Sequence, residues 1–115
     1  MKILNSSQKM TLQELKELAG NIFGNLVKAV IDVELEIMAV DAELHADLEA
    51  LLLENGSKQE NLWGINLYPE MAGTDFIEFD SMINIRPGQN NRGRDIEDPK
   101  VREKIIAIAN KLISQ

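Results

Sequence analysis

No cysteine occurs anywhere in the chain, and histidine occurs once. The first absence removes disulfide frameworks, thiolate metal sites and thiol nucleophiles, and it fits a reducing compartment. The second leaves acid–base or metal chemistry to His45 and the carboxylates near it, and no nucleophile-elbow sequence is present to give that histidine a serine partner. Aromatic residues are sparse, with one Trp, one Tyr and three Phe, so the interleaved rings on which nucleic-acid bases stack are missing. Positive charge is scarce as well: 12 Lys and Arg stand against 19 Asp and Glu, a formal net charge of −7. A surface of that sign repels phosphate backbones, which argues against wrapping a nucleic-acid duplex. No apolar run approaches the roughly 18 to 20 residues that a bilayer span requires. The opening Met1-Lys2-Ile3-Leu4-Asn5 turns polar too soon for a signal peptide. The expectation is a cytoplasmic protein without membrane contact.

What is present is enough for one domain with one core: 115 residues, 44% hydrophobic and 27% charged. Lys2-Ile3-Leu4 reads as a short edge strand. Thr11 opens a helix with Glu14 placed to complete a capping box, followed by the apolar stripe Leu12, Leu15, Leu18, Ala19, Ile22, Phe23 and Leu26. Gly20 and Gly24 fall inside that stripe, and close approach to a sheet or fraying of the last turn would account for them. From Lys28 to Val40 the period becomes two, with Ile31, Val33, Leu35, Ile37 and Ala39 opposing Asp32, Glu34, Glu36 and Met38, so this reads as a second strand. Asp41 is placed to cap a helix over Ala42 to Glu54, and Asn55-Gly56 stops it. Leu62 to Tyr68 alternates as a strand with Trp63, Ile65 and Leu67 inward and Tyr68 at a rim. A turn containing Gly73 then leads by a hairpin into a strand over Phe76 to Arg86. Asp98-Pro99 caps a last helix, Pro99 to about Ile113.

Alternating strands imply a sheet covered on one side and wet on the other. The fold class expected is α+β: a two-layer sandwich, with a three- or four-stranded, mostly antiparallel sheet and three helices packed on one face. Strand order does not follow from the pattern.

Three constellations could carry chemistry. The loop RPGQNNRGR holds Arg86, Arg92 and Arg94 within nine residues, with Asn90 and Asn91 and glycines between them that let the backbone turn and expose its amides. Guanidinium forks match carboxylates and phosphates, so these five residues are the candidate ligand-binding set for a small anion or an acidic partner. Internal pairing with Asp95, Glu97, Asp98 or acidic strand faces would consume them instead. Around the second helix, Asp41, His45 and Glu49 recur at a spacing of four, the arrangement of a metal site or an acid–base pair. A capped and dipole-matched helix start explains the same acids. Finally, Asp32, Glu34, Glu36, Glu78 and Asp80 would share one wet sheet face if their strands were neighbours, offering a divalent cation or a basic partner five crowded carboxylates.

The stretches ENGSKQENLWGINLYPE, DFIEFDSMINIRP and NRGR, between His45 and Arg94, resemble a family of small, uncharacterised prokaryotic proteins recorded as a domain of unknown function. The resemblance implies a free-standing prokaryotic single domain and transfers no functional residue, cofactor or activity. The sequence therefore favours a non-enzymatic domain holding a small anionic ligand or acidic partner through the arginine loop. Its alternatives are a metal-dependent hydrolase acting on a phosphorylated substrate, and an acidic surface mimicking nucleic acid. An unpaired edge strand or wet sheet face is compatible with a homodimer.

Overall fold

The computed structural model describes residues 1–114. In chain order its elements are β1 (Lys2–Leu4), β2 (Met10–Thr11), α1 (Leu12–Ile22), β3 (Val27–Asp32), β4 (Ile37–Val40), α2 (His45–Glu54), β5 (Leu62–Leu67), β6 (Ile77–Glu78), α3 (Pro99–Leu112) and β7 (Ile113–Ser114). The class is α+β. Five strands form an antiparallel sheet in the order β1-β4-β3-β5-β6, and β2 and β7 make a small parallel pair. No helix among the described residues is long and apolar enough to cross a membrane.

Several local signals act as expected. Thr11 and Glu14 complete the capping box, and Asp98 accepts from the Lys100 amide with Pro99 at the first helical turn. Gly56, at φ +98, closes α2. Gly24 lies beyond α1 at φ +93, its amide bonded to the Ala19 carbonyl at 2.6 Å, so it ends the helix and does not weaken its interior.

The stretch Lys28 to Val40 is not one strand but the hairpin β3–β4. Asp32, fully buried, accepts the amides of Glu34 and Leu35 on Oδ1 at 2.9 Å each, and Glu36 takes a left-handed φ of +57. This is an Asx turn: the aspartate side chain replaces backbone partners and reverses the chain. The apolar alternation runs through the turn without a break, which is why the period alone conceals it. Helix α2 likewise begins at His45, not at Ala42; Leu44 stands at its cap without a side-chain bond, while Asp41, at φ +75, precedes the helix.

Both faces of the sheet are covered, which corrects the one-sided expectation. On one face Ala29, Ile31, Met38, Trp63, Ile65 and Leu67 pack with Leu15 of α1 and Ile105, Ile108 and Leu112 of α3. On the other, Val30, Ala39 and Leu62 pack with Leu48 and Leu52 of α2. The three helices are thus divided two and one. The second layer stops short of the ends of β3 and β5, leaving Lys28 and Asn66, which face each other across the ladder, under an opening beside α2.

The strand expected over Phe76 to Arg86 joins the sheet only at Ile77 and Glu78, and Arg86 instead bridges Asn91 of its own loop. Beyond Glu78 the chain leaves the ladder, and a turn at Met82–Asn84 brings the Asn84 amide against β5. Its Oδ1 accepts the Gly64 amide at 2.8 Å and its Nδ2 donates to the Gly64 carbonyl at 2.9 Å, while Nδ2 also reaches the Arg94 carbonyl at 3.0 Å. One side chain therefore does what a neighbouring strand would do at this point of the sheet.

Candidate functional site

The segment that Asn84 holds over β5 forms one wall of a cavity of about 550 Å³. Its floor is the end of the β3–β5 ladder, Lys28 and Asn66; helix α2 contributes His45 from its first turn, and Tyr68, Glu78, Asp80 and Arg94 complete the polar lining. Phe23, Leu44 and Met82 rim it and are 41%, 56% and 65% exposed, an apolar border that the core does not use.

The polar groups are ordered by one another. Glu78 Oε1 accepts from Asn66 Nδ2 at 2.8 Å and from the Tyr68 hydroxyl at 3.0 Å. Burial and that carboxylate together push the Tyr68 phenol up, so it stays a donor at neutral pH. Asn66 Nδ2 also reaches the Asp80 carbonyl at 3.3 Å, yet Asn66 Oδ1 has no donor although the residue is only 7% exposed. Arg94 pairs through Nε with Asp80 Oδ1 at 2.8 Å, and its terminal nitrogens carry no bond among the described residues. Lys28 lies over the Phe23 ring, 5.2 Å from its centroid, and has no carboxylate partner among them.

His45 Nε2 stands 2.8 Å from the Ile65 carbonyl oxygen. A carbonyl only accepts, so Nε2 carries the proton and Nδ1 of the neutral ring is the lone-pair nitrogen. Burial is the main influence and lowers the His45 pKa; the Ile65 bond and Asp80 oppose it, and the charges of Lys28 and Arg94 reinforce it. His45 is neutral at pH 7. The sign for stability follows: the unfolded chain takes the proton more readily than the folded one, so stability is whole above the ordinary value of 6.5 and declines as pH falls through and below it. Urea denaturation at pH 7 and pH 5 should show a loss in the wild type that His45→Gln reduces; equal losses in both would contradict this assignment.

The chain belongs to a family. Its model, described as "Protein of unknown function (DUF5674)", matches residues 3–112. No curated protein and no solved structure matches the chain. Family membership brings no activity with it, so the site must be read from its own residues.

Of the three loop arginines, only Arg94 reaches the cavity. Arg86 is spent inside the protein: its terminal nitrogens donate to the Gln59 and Leu62 carbonyls, and its guanidinium lies 4.1 Å from the Trp63 ring centroid. Desolvation lowers its pKa, opposed by the nearby Glu49. Arg92 is exposed and away from the cavity lining, with its backbone amide bonded to Glu97. Asn90 supplies the left-handed φ of +60 that closes the loop. Asn91 is buried and pins the loop, with Nδ2 donating to the Asn84 and Asp95 carbonyls at 2.7 Å each and Oδ1 accepting the Glu97 amide. Internal hydrogen bonds thus consume most of the donors of this Gly-, Asn- and Arg-rich loop.

Asp41, His45 and Glu49 are not brought together. Asp41 lies outside the helix and faces the amino terminus at 3.6 Å, Glu49 influences Arg86, and no group of three His, Asp or Glu among the described residues is arranged to hold a metal ion. The five carboxylates also separate, since Asp32 is buried in the hairpin turn and Glu34 and Glu36 sit at its exposed tip. Lys28, Asn66 and Tyr68 become site residues only through the ladder. Tyr68 was legible as a polar-side aromatic; Lys28 and Asn66 carried no signal beyond strand alternation.

Proposed function

We propose that this chain is a non-enzymatic binding domain that holds a small anionic ligand in the cavity between α2 and the Glu78 to Ile83 segment, with Lys28 and Arg94 as its cations. The carrying observation is Lys28, partly buried on a sheet face with its ammonium over the Phe23 ring and no carboxylate partner among the described residues, in a protein where carboxylates outnumber cations. An entering anion supplies the opposite charge it lacks. Arg94 adds terminal donors already oriented by Asp80. Hydrolysis through a metal has less support, because the two carboxylates that line the cavity with His45 are engaged by Arg94, Asn66 and Tyr68.

Calorimetric titration at low salt with inorganic phosphate and small carboxylates tests the reading. Lys28→Ala and Arg94→Gln should each weaken binding about tenfold, equivalent to about 1.4 kcal/mol, and added salt should weaken it further. Arg92→Ala should leave affinity unchanged. Loss of binding on Arg92→Ala with retention on Lys28→Ala, or no anion binding at all, would overturn it.

A further inference from the structure

The cavity holds acceptors as well as cations. With His45 neutral, Lys28 and Arg94 balance Glu78 and Asp80, so the charged lining sums to zero. A ligand of high net charge would leave part of that lining uncompensated, whereas one bearing both signs would not. Three acceptors in the lining lack donors among the described residues: Asn66 Oδ1, Glu78 Oε2 and His45 Nδ1. Asn66 Oδ1 is closed to solvent, whereas Glu78, which accepts from Asn66 and Tyr68 through Oε1 alone, keeps Oε2 for a donor entering the cavity. The exposed apolar rim of Phe23, Leu44 and Met82 supplies a third requirement, a hydrocarbon flank. The cavity volume lies within the roughly 300–1,000 Å³ common for small-ligand sites and exceeds what one amino acid needs.

We infer that the ligand is an apolar α-amino acid, its carboxylate held by Lys28 and Arg94, its ammonium by Glu78, and its side chain against Phe23, Leu44 and Met82. The inference rests on the anion-binding reading of the same cavity and adds the ammonium and the hydrocarbon to it. Alternatives are separated by truncating the ligand. Calorimetry with leucine, with 4-methylpentanoate (leucine without its ammonium), with 3-methylbutylamine (leucine without its carboxylate), with aspartate and with inorganic phosphate reads each contact by itself. Leucine should bind at least tenfold more tightly than any of the others. Glu78→Gln should weaken leucine about tenfold without weakening 4-methylpentanoate, which has no ammonium for Glu78 to hold and is relieved of a nearby negative charge, while Lys28→Ala weakens both; unaltered thermal melts of the two variants confirm that they fold. If 4-methylpentanoate or phosphate binds as tightly as leucine, the amino-acid inference fails and the anion site stands. Tighter binding of aspartate overturns the apolar flank and with it the inference. Binding of none of the anionic or zwitterionic compounds overturns both readings together.

Discussion

Replacing Asn84 with alanine is expected to cost roughly 3–5 kcal/mol, because two backbone groups lose their partner at once and each buried orphan costs about 1–3 kcal/mol. The groups are the Gly64 amide and the Gly64 carbonyl; the Arg94 carbonyl loses one donor and keeps the Ser81 amide. Asn84 is itself fully buried, so water cannot replace the amide without opening the segment over β5. Urea denaturation measures the loss, as a lower midpoint with an unchanged slope if only the native contacts are affected. Asp is the informative second substitution, since it keeps an acceptor for the Gly64 amide but removes the donor to both carbonyls; it should fall short of wild type by a large fraction of the alanine effect. Asn91 hydrogen-bonds the Asn84 carbonyl, so Asn91→Ala combined with Asn84→Ala should cost less than the sum of the single changes. A cost under 1 kcal/mol for Asn84→Ala would show that the side chain is not the partner described.

Gly64→Ala should destabilise by about 3 kcal/mol, at the upper end of ordinary overpacking. Gly64 lies in the middle of β5, opposite Val30. A Cβ there would sit 2.5 Å from Ser81 Cβ and 2.6 Å from Ser81 Oγ, with Ile83 Cγ1 at 3.1 Å. Ser81 cannot retreat freely: its amide donates to the Arg94 carbonyl at 3.0 Å and its carbonyl accepts the Asn84 amide at 3.1 Å. The clash is therefore with a pinned segment and not with the end of a flexible side chain. Combining Gly64→Ala with Ser81→Gly removes the two closest contacts and should recover more than half of the lost stability in the same urea experiment. Failure of that rescue would place the cost in the strand itself. Both substitutions act on the segment that walls the cavity, so each should also weaken ligand binding at temperatures where the protein remains folded.

These two residues show where sequence reading stops. Gly64 breaks the alternation of Leu62 to Tyr68 no more than any glycine in a strand, and Asn84 stands in phase within an apparent strand. Nothing in the period of FIEFDSMINIR announces that the chain leaves the sheet after Glu78, since hydrophobic alternation records which side chains are inward and not which backbone groups are paired. Asp32 makes the same point from the other direction. As one acid in an alternating run it reads as wet surface, yet its side chain is fully buried and builds the turn. In the arginine loop, residue types suited to gripping an anion are equally suited to gripping carbonyls, and Arg86 and Asn91 are used in the second way.

What the amino-acid sequence determined by itself is local: the Thr11 and Asp98 caps, the glycine that ends α2, the apolar stripes of α1 and α3, the inward face of β5 and the absence of thiol chemistry. Each depends on neighbours within a few residues, so the chain carries the whole instruction. Which helix covers which face was decided only in three dimensions. The links β1–α1–β3 and β4–α2–β5 each step over one strand in the same lateral direction, but the strands they join run oppositely, because β3 and β4 are antiparallel. Right-handed connections of that kind place their helices on opposite faces. That division puts α2, and His45 with it, above the strand ends where Lys28 and Asn66 meet, and so makes a cavity from residues that no spacing along the chain connects.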